Sequence, residues 1–126
     1  MTNTVSQPIT EAKAELFKAL AHPARIRVLE LLAAGEHSMG ELAEGTGLEL
    51  SHLSQHVSTL RRAGIVDSRR VRTTVVCALR DPQTAELLAV ARRLISANLR
   101  HGQVLLAALS DADDAVSLAD ASRVTG

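Results

Sequence analysis

At 126 residues and 46% apolar content, with a single Phe as its aromatic complement, the chain suits one domain whose interior is filled by Leu, Val, Ile and Ala. That composition favours packed helices over a β-sandwich and argues against single-strand nucleic-acid binding, which relies on aromatic stacking platforms. Formal net charge is zero and Cys77 is the lone cysteine, so neither a disulfide framework nor a multi-thiolate zinc site can form within the chain, and non-specific affinity for nucleic acid should be modest.

Residues 1–9 are polar and are expected to be loose. They carry no basic segment followed by an apolar run, and nowhere do eighteen apolar residues stand together. A soluble, unsecreted protein of the reducing cytoplasm, with no membrane partner, is the expectation. Thr10 can cap a helix reaching about Ala21, with Leu16, Phe17 and Leu20 as its apolar stripe. His22-Pro23 breaks it, since a proline drives the preceding residue out of the α region and suits the first turn of a new helix. That second helix should run from Pro23 to Ala34 and stop at Gly35, a left-handed cap. Ile26, Leu29, Leu31 and Leu32 make it central. Arg25 and Arg27 should face solvent or pair with Glu30, with phosphate contact the other reading. Ser38 and Glu41 have capping-box spacing, which opens a short helix from Met39 to Glu44, followed by a turn through Gly45, Thr46 and Gly47.

The fourth helix begins near Glu49 and ends before Gly64. Leu50, Leu53, Val57 and Leu60 recur at helical spacing and predict one core-facing stripe. The opposite side is left to Ser51, His52, Gln55, Ser58, Thr59 and Arg62. None of these is a carboxylate, although solvated helix faces ordinarily mix both signs. Ser, His, Gln and Arg can bond base edges in a major groove, which admits one α-helix. A recognition helix is the reading these residues favour, against a polar face with no such role.

Ile65 to Arg70 and Thr73 to Leu79 are rich in β-formers and predict a hairpin. Its tip, Arg69-Arg70-Val71-Arg72-Thr73, lacks the Gly or Asn of a primed turn, so a longer or more mobile turn is expected. Three arginines there suggest a wing reaching DNA backbone or minor groove, against a merely solvated turn. Asp81-Pro82 opens a long helix reaching about Leu109, with Gly102 marking a kink or break. Leu87, Leu88, Ala91, Leu94, Ile95, Val104, Leu105, Leu106 and Leu109 form a stripe best buried against a second copy, which predicts a homodimer through this helix and the first. Residues 110–126, carrying Asp111, Asp113, Asp114 and Asp120, should be a flexible acidic tail, partly helical at most.

The neutral total conceals an uneven distribution. From Ser51 to Arg80 stand six arginines (Arg61, Arg62, Arg69, Arg70, Arg72, Arg80) against one acid, Asp67. Positive charge therefore gathers around the fourth helix, as a DNA footprint requires.

Helix, helix, helix, polar helix, arginine-tipped hairpin and long helix is the order of a winged helix-turn-helix. The chain resembles the ArsR family of bacterial winged-helix repressors. The run LFKALAHPARIRVLELL from Leu16 to Leu32, the pattern Ser51-x-x-Ser54-x-His56-x-x-x-Leu60-x-x-Ala63-Gly64, and Arg69-Arg70 carry the resemblance across residues 12–99. It implies a mainly α domain over residues 10–109 with a small β-hairpin wing, dimerised through its first and last helices. It also implies a repressor that binds a palindromic operator near its own promoter and lets go when a signal, a small inducer of unknown identity, arrives. Ser51, His52, Ser54, Gln55 and His56 then inherit DNA-contact roles, with Thr59 and Arg62 on the same face and Arg69, Arg70 and Arg72 on the wing. The family's metal sites do not carry over. His37-Ser38-Met39-Gly40-Glu41 holds no thiol where a Cys-x-Cys segment would stand. On the last helix Asp81 remains, but Gln83, Leu94 and Ala97 occupy the approximate positions of imidazoles. No metal and no cofactor is expected.

Some residues keep two readings. His52 and His56 lie one turn apart, and DNA contact is favoured over packing or zinc. His22 should hold the corner between helices, while His37 and His101 are surface histidines, a weak metal site at His101 being the alternative. Cys77 should be an inert strand thiol, redox sensing being the minor alternative. No serine has a His/Asp partnership and Gly45-Thr46-Gly47 lacks phosphate-loop spacing, so an enzyme is not expected. The remaining rival is a helical dimeric interaction module that reads no specific DNA sequence.

Overall fold

The computed structural model describes residues 6–125, and the side-chain surroundings of residues 7–112. Helix α1 spans Ser6–Leu20, longer at its start than expected, because Pro8 falls in the first turn, where a missing N–H costs nothing. Residues 6–9 are therefore helical rather than loose, Thr10 lies inside the helix, and residues 1–5 lie outside the described residues. His22 is extended (φ −153°, ψ 131°) and its Nδ1 accepts the Ala24 N–H at 3.0 Å, capping α2 (Pro23–Ala33). Gly35 follows with φ 149°.

A two-residue strand, β1 (His37–Ser38), comes next. Nothing in the sequence announced it, since two residues are too few to alternate. The capping box forms: Ser38 Oγ accepts the Glu41 N–H at 3.1 Å, and a Glu41 carboxylate oxygen accepts the Ser38 N–H at 2.8 Å. Helix α3 (Met39–Thr46) then runs two residues beyond its expected end. Gly45 belongs to the helix, not the turn, and its missing side chain lets α3 approach α2, since a Cβ there would come within 2.7 Å of a Leu31 methyl carbon. The turn is made at Gly47, left-handed at φ 72°.

Helix α4 (Leu50–Arg62) leads into β2 (Val66–Val71) and β3 (Thr74–Leu79), paired antiparallel from Val66↔Leu79 to Val71↔Thr74. With β1 beside β3 the sheet order is β1-β3-β2. The hairpin turn is the two residues Arg72-Thr73, tighter than expected. Arg72 takes a left-handed φ of 60° without the help of a glycine, at a cost of about 1–2 kcal/mol.

Two compact units divide the chain at residues 88 and 89. In the first, Val28, Leu29, Leu42, Leu53, Leu60, Val66 and Cys77 are fully buried, joined by Ala19, Leu20, Leu32, Val57 and Ile65. Leu31, Leu87 and Leu88 pack at its margin. Leu50 departs from its expected place in that stripe. It is 57% exposed, because a first-turn residue three positions before Leu53 lies past the edge of the core.

Helix α5 spans Gln83–Thr125. The Asp81 carboxylate accepts the Gln83 N–H at 2.9 Å, the bond expected of an N-cap with Pro82 in the first position after it. Gly102 does not end the helix: one glycine costs about 1 kcal/mol, which the good helix formers around it offset. Past Leu109 the helix continues, the helical alternative to a loose tail, because a formed helix propagates more easily than it nucleates. In the second unit Leu94, Ile95, Leu99, Val104, Leu105, Leu106 and Leu109 are each more than half exposed. Among the described residues no helix is long and apolar enough to cross a membrane.

Candidate nucleic-acid interface

Helix α4 owes its orientation to Leu53, Val57 and Leu60, which are 0–3% exposed and anchor it on α2, α3 and β2. Ser51, His52, Ser54 and Gln55 are then turned outward without a carboxylate among them. Toward the C-terminal end, the Thr59 hydroxyl donates to the Gln55 carbonyl at 3.1 Å, and Arg62 Nη2 lies 3.5 Å from the Thr59 oxygen. Arg61 reaches Ser58 Oγ at 3.5 Å.

His56 is set apart from this face. It is partly buried, its Nδ1 accepts from Arg25 Nε at 3.3 Å, and its ring lies 4.3 Å from that of His22, tilted 44°. Burial first, then the charges of His22, Arg25 and His52, hold its pKa below the usual histidine value. The pairing with Glu30 expected of Arg25 gives way to this contact and to a bond from Nη1 to the Ala19 carbonyl at 3.2 Å. Arg27 instead sits 3.8 Å from Glu30.

The arginines of the hairpin divide. Arg69, expected on the DNA-facing tip, makes a two-pronged ion pair with Glu36 at 2.9 and 2.8 Å, joining β2 to the connection before β1. That guanidinium holds the Glu36 pKa below the ordinary carboxylate value, while Glu36 raises that of Arg69. Arg80 is likewise bound to Asp67 at 2.9 Å. Arg70 and Arg72 are exposed, and among the described residues neither has a carboxylate partner. Four guanidinium groups, from Arg61, Arg62, Arg70 and Arg72, therefore remain uncommitted to acids on α4 and the hairpin. Arg61, counted in the sequence with the basic charge around α4 but given no contact role, stands seven after Ser54 and so on the same flank.

Cys77 is fully buried, with its sulfur 3.5 Å from Ser68 Oγ and 3.6 Å from Met39 Sδ. His37 on β1 lies 3.7 Å from Glu41 in the first turn of α3. Among the described residues, no three His, Cys, Asp or Glu side chains converge as metal ligands would.

This arrangement has close relatives. Residues 20–69 match the helix-turn-helix domain family. The chain is 51% identical over 92 residues to Rv0081, an uncharacterised HTH-type transcriptional regulator of Mycobacterium tuberculosis, covering 72% of this chain and 81% of the relative. The crystal structure of Rv0081 superposes with a TM-score of 0.69, at 50% identity over 74% of this chain and 94% of the other. The solution structure of the homodimeric winged helix-turn-helix DNA-binding domain Mb0332 of Mycobacterium bovis, a possible ArsR-family regulator, gives a TM-score of 0.71 at 28% identity over 78% and 91% of the two chains. The chain belongs to the HTH-type transcriptional regulators, with the winged helix-turn-helix fold. A biofilm growth-associated repressor of Agrobacterium fabrum is 43% identical over 73 residues, 58% of this chain and 62% of that one. In this winged helix-turn-helix regulator, α3 and α4 are the helix-turn-helix, and β2 and β3 are the wing. No enzymatic family is indicated.

Proposed function

We propose that this regulator is a repressor that binds an imperfectly palindromic operator as a homodimer, with α4 in the major groove and the wing on the flanking backbone. The observation that carries the reading is a carboxylate-free outer α4 face beside four arginines that no acid neutralises. Ser51, His52, Ser54 and Gln55 would meet base edges. Arg62, Arg70 and Arg72 would meet phosphates, with Arg61 added to them. His56 would act by holding α4 against α2, and Arg69 by bracing the wing through Glu36. The exposed apolar residues of α1 (Ile9, Phe17) and of α5 supply surface for a second copy, as fits the homodimeric state of Mb0332. Two-fold symmetry would then set half-sites about one helical turn, ~34 Å, apart. The protein would act in the cytoplasm and release its operator on a signal.

Band-shift titration against the DNA upstream of its own gene, at several salt concentrations, tests this. Sequence preference, with affinity that falls steeply as salt rises, is expected. Gln55→Ala should relax discrimination by about 1–3 kcal/mol at one position. Equal affinity for operator and scrambled duplex would overturn the proposal in favour of a protein-interaction module.

A further inference from the structure

Between α4 and the wing lies a cleft of about 580 Å³, within the range of small-molecule sites. Its apolar wall comes from Met39, Leu50, Val57 and Val75, and its polar side from hydroxyls of Ser54, Ser58, Ser68, Thr73 and Thr74. Arg61 is its one charged lining residue, and no acid lines it. Leu50 is the odd residue on α4: an apolar side chain 57% exposed on a helix whose other large apolar residues are buried. Here it has a surface to serve.

We infer that this cleft binds an amphipathic carboxylic acid of medium chain length, and that its occupancy opposes DNA binding. A hydrocarbon body would cover Met39, Leu50, Val57 and Val75, removing exposed apolar surface from water. Its carboxylate would meet the Arg61 fork, with Ser54 or Ser58 hydroxyls donating to the remaining lone pairs. A single guanidinium matches a monoanion, whereas a phosphate dianion would call for more positive charge than one arginine supplies. Opposition to DNA follows from shared residues. Ser54 lies on the groove-facing side, and an acid seated on Arg61 takes the cation that a phosphate would use. Linkage then requires that operator and acid weaken each other by the same factor. This regulatory half rests on the DNA-reading proposal; the binding half does not.

The experiment is calorimetric titration of the full chain with octanoate, with octanamide and acetate as comparison probes, alongside methyl chemical shifts. Octanoate should bind, octanamide and acetate about tenfold or more weakly, and shifts should appear at Met39, Leu50, Val57 and Val75. Leu50→Glu places charge on an exposed position that folding does not need, and Arg61→Gln removes the cation. Each should weaken octanoate by about tenfold or more. Saturating octanoate should lower operator affinity by about tenfold, within the usual range of allosteric coupling. No binding, binding indifferent to both substitutions, or shifts confined to the apolar residues of α5 would overturn the site. Binding at the cleft with unchanged operator affinity would overturn its opposition to DNA. Because calorimetry needs no DNA, failure to find an operator would leave the cleft's own test intact.

Discussion

Helices α4 and α5 solve opposite problems with the same kinds of residues. In α4 the leucines and valine at positions 53, 57 and 60 are turned into the chain's own core, leaving a polar face outward. In α5 beyond residue 88 the aliphatic residues are themselves outward, with Leu94, Leu99 and Leu106 at 61–66% exposure. One helix completes its burial within its own unit, whereas the other carries apolar surface that its own unit leaves exposed. Stability of the first unit should therefore be a property of the monomer, and that of the α5 surface a property of concentration.

The sharpest way to break this contrast is to truncate one leucine on each helix. Leu60→Ala should destabilise by about 2–5 kcal/mol, because a fully buried side chain leaves a cavity. The loss should be the same at every protein concentration. Leu99→Ala should cost little in dilute monomer, but should shift sedimentation toward the monomer and lower the melting temperature only where dimer is populated. If thermal melts of Leu99→Ala were as concentration-independent as those of Leu60→Ala, the homodimer proposed through α5 would be lost.

A second contrast lies among the arginines, and its expected effects are smaller. Arg70→Ala and Arg72→Ala should each cost about 1.5–3 kcal/mol of operator affinity, as for hydrogen bonds to charged groups. Each should also lower the salt slope by about one, evenly across sequences. Arg69→Ala should leave the slope nearly unchanged, since its fork is already held by Glu36. Slopes falling equally in all three variants would show that Glu36 yields Arg69 to phosphate.

These two contrasts also mark how much was legible in the sequence. The capping box at Ser38 and Glu41, the corner at His22-Pro23 and the stripe at Leu53, Val57 and Leu60 are local signals, and local geometry honours them. The fate of Arg69 was not legible, because its partner stands thirty-three residues earlier in the chain. Strand β1 exists only because His37 and Ser38 meet Cys77 and Val76 on β3. His56 has the spacing of a groove-facing residue, yet Arg25 and His22 draw it into the corner from a different helix and its cap. Periodicity fixes which residues share a face, but not how far the core extends, and so Leu50 was misplaced.

Among these local signals the capping box should carry about 1 kcal/mol. Ser38→Ala removes the acceptor for the Glu41 N–H and should lower stability by that amount in urea titration, less than Leu60→Ala. Glu41 shares this device, and its pKa is held below the ordinary carboxylate value chiefly by the Ser38 N–H. Its contribution is present above the ordinary pKa of about 4.5 and is lost as pH falls through the lowered folded value. An unchanged urea midpoint in Ser38→Ala would show the box to be without weight.

The smallest expected effect separates the corner from the groove face. Neutral His56 accepts from Arg25, whereas protonated His56 would place a cation against that guanidinium and beside His22 and His52. The folded pKa lies below the ordinary value of about 6.5, so the unfolded chain binds the proton more readily. Stability is therefore complete above that pKa and declines as pH falls from about 6.5 toward the lowered folded value. This window opens above the range in which Glu36 and Glu41 lose their contributions. His56→Gln keeps an acceptor for Arg25 and removes the proton, so it should flatten the dependence between pH 7 and 5 measured by urea titration. It should also leave discrimination among operators intact, since the side chain's work is to position α4. Should the slope persist, while selectivity collapsed at one base pair, His56 would belong to the groove face with Gln55 and not to the corner.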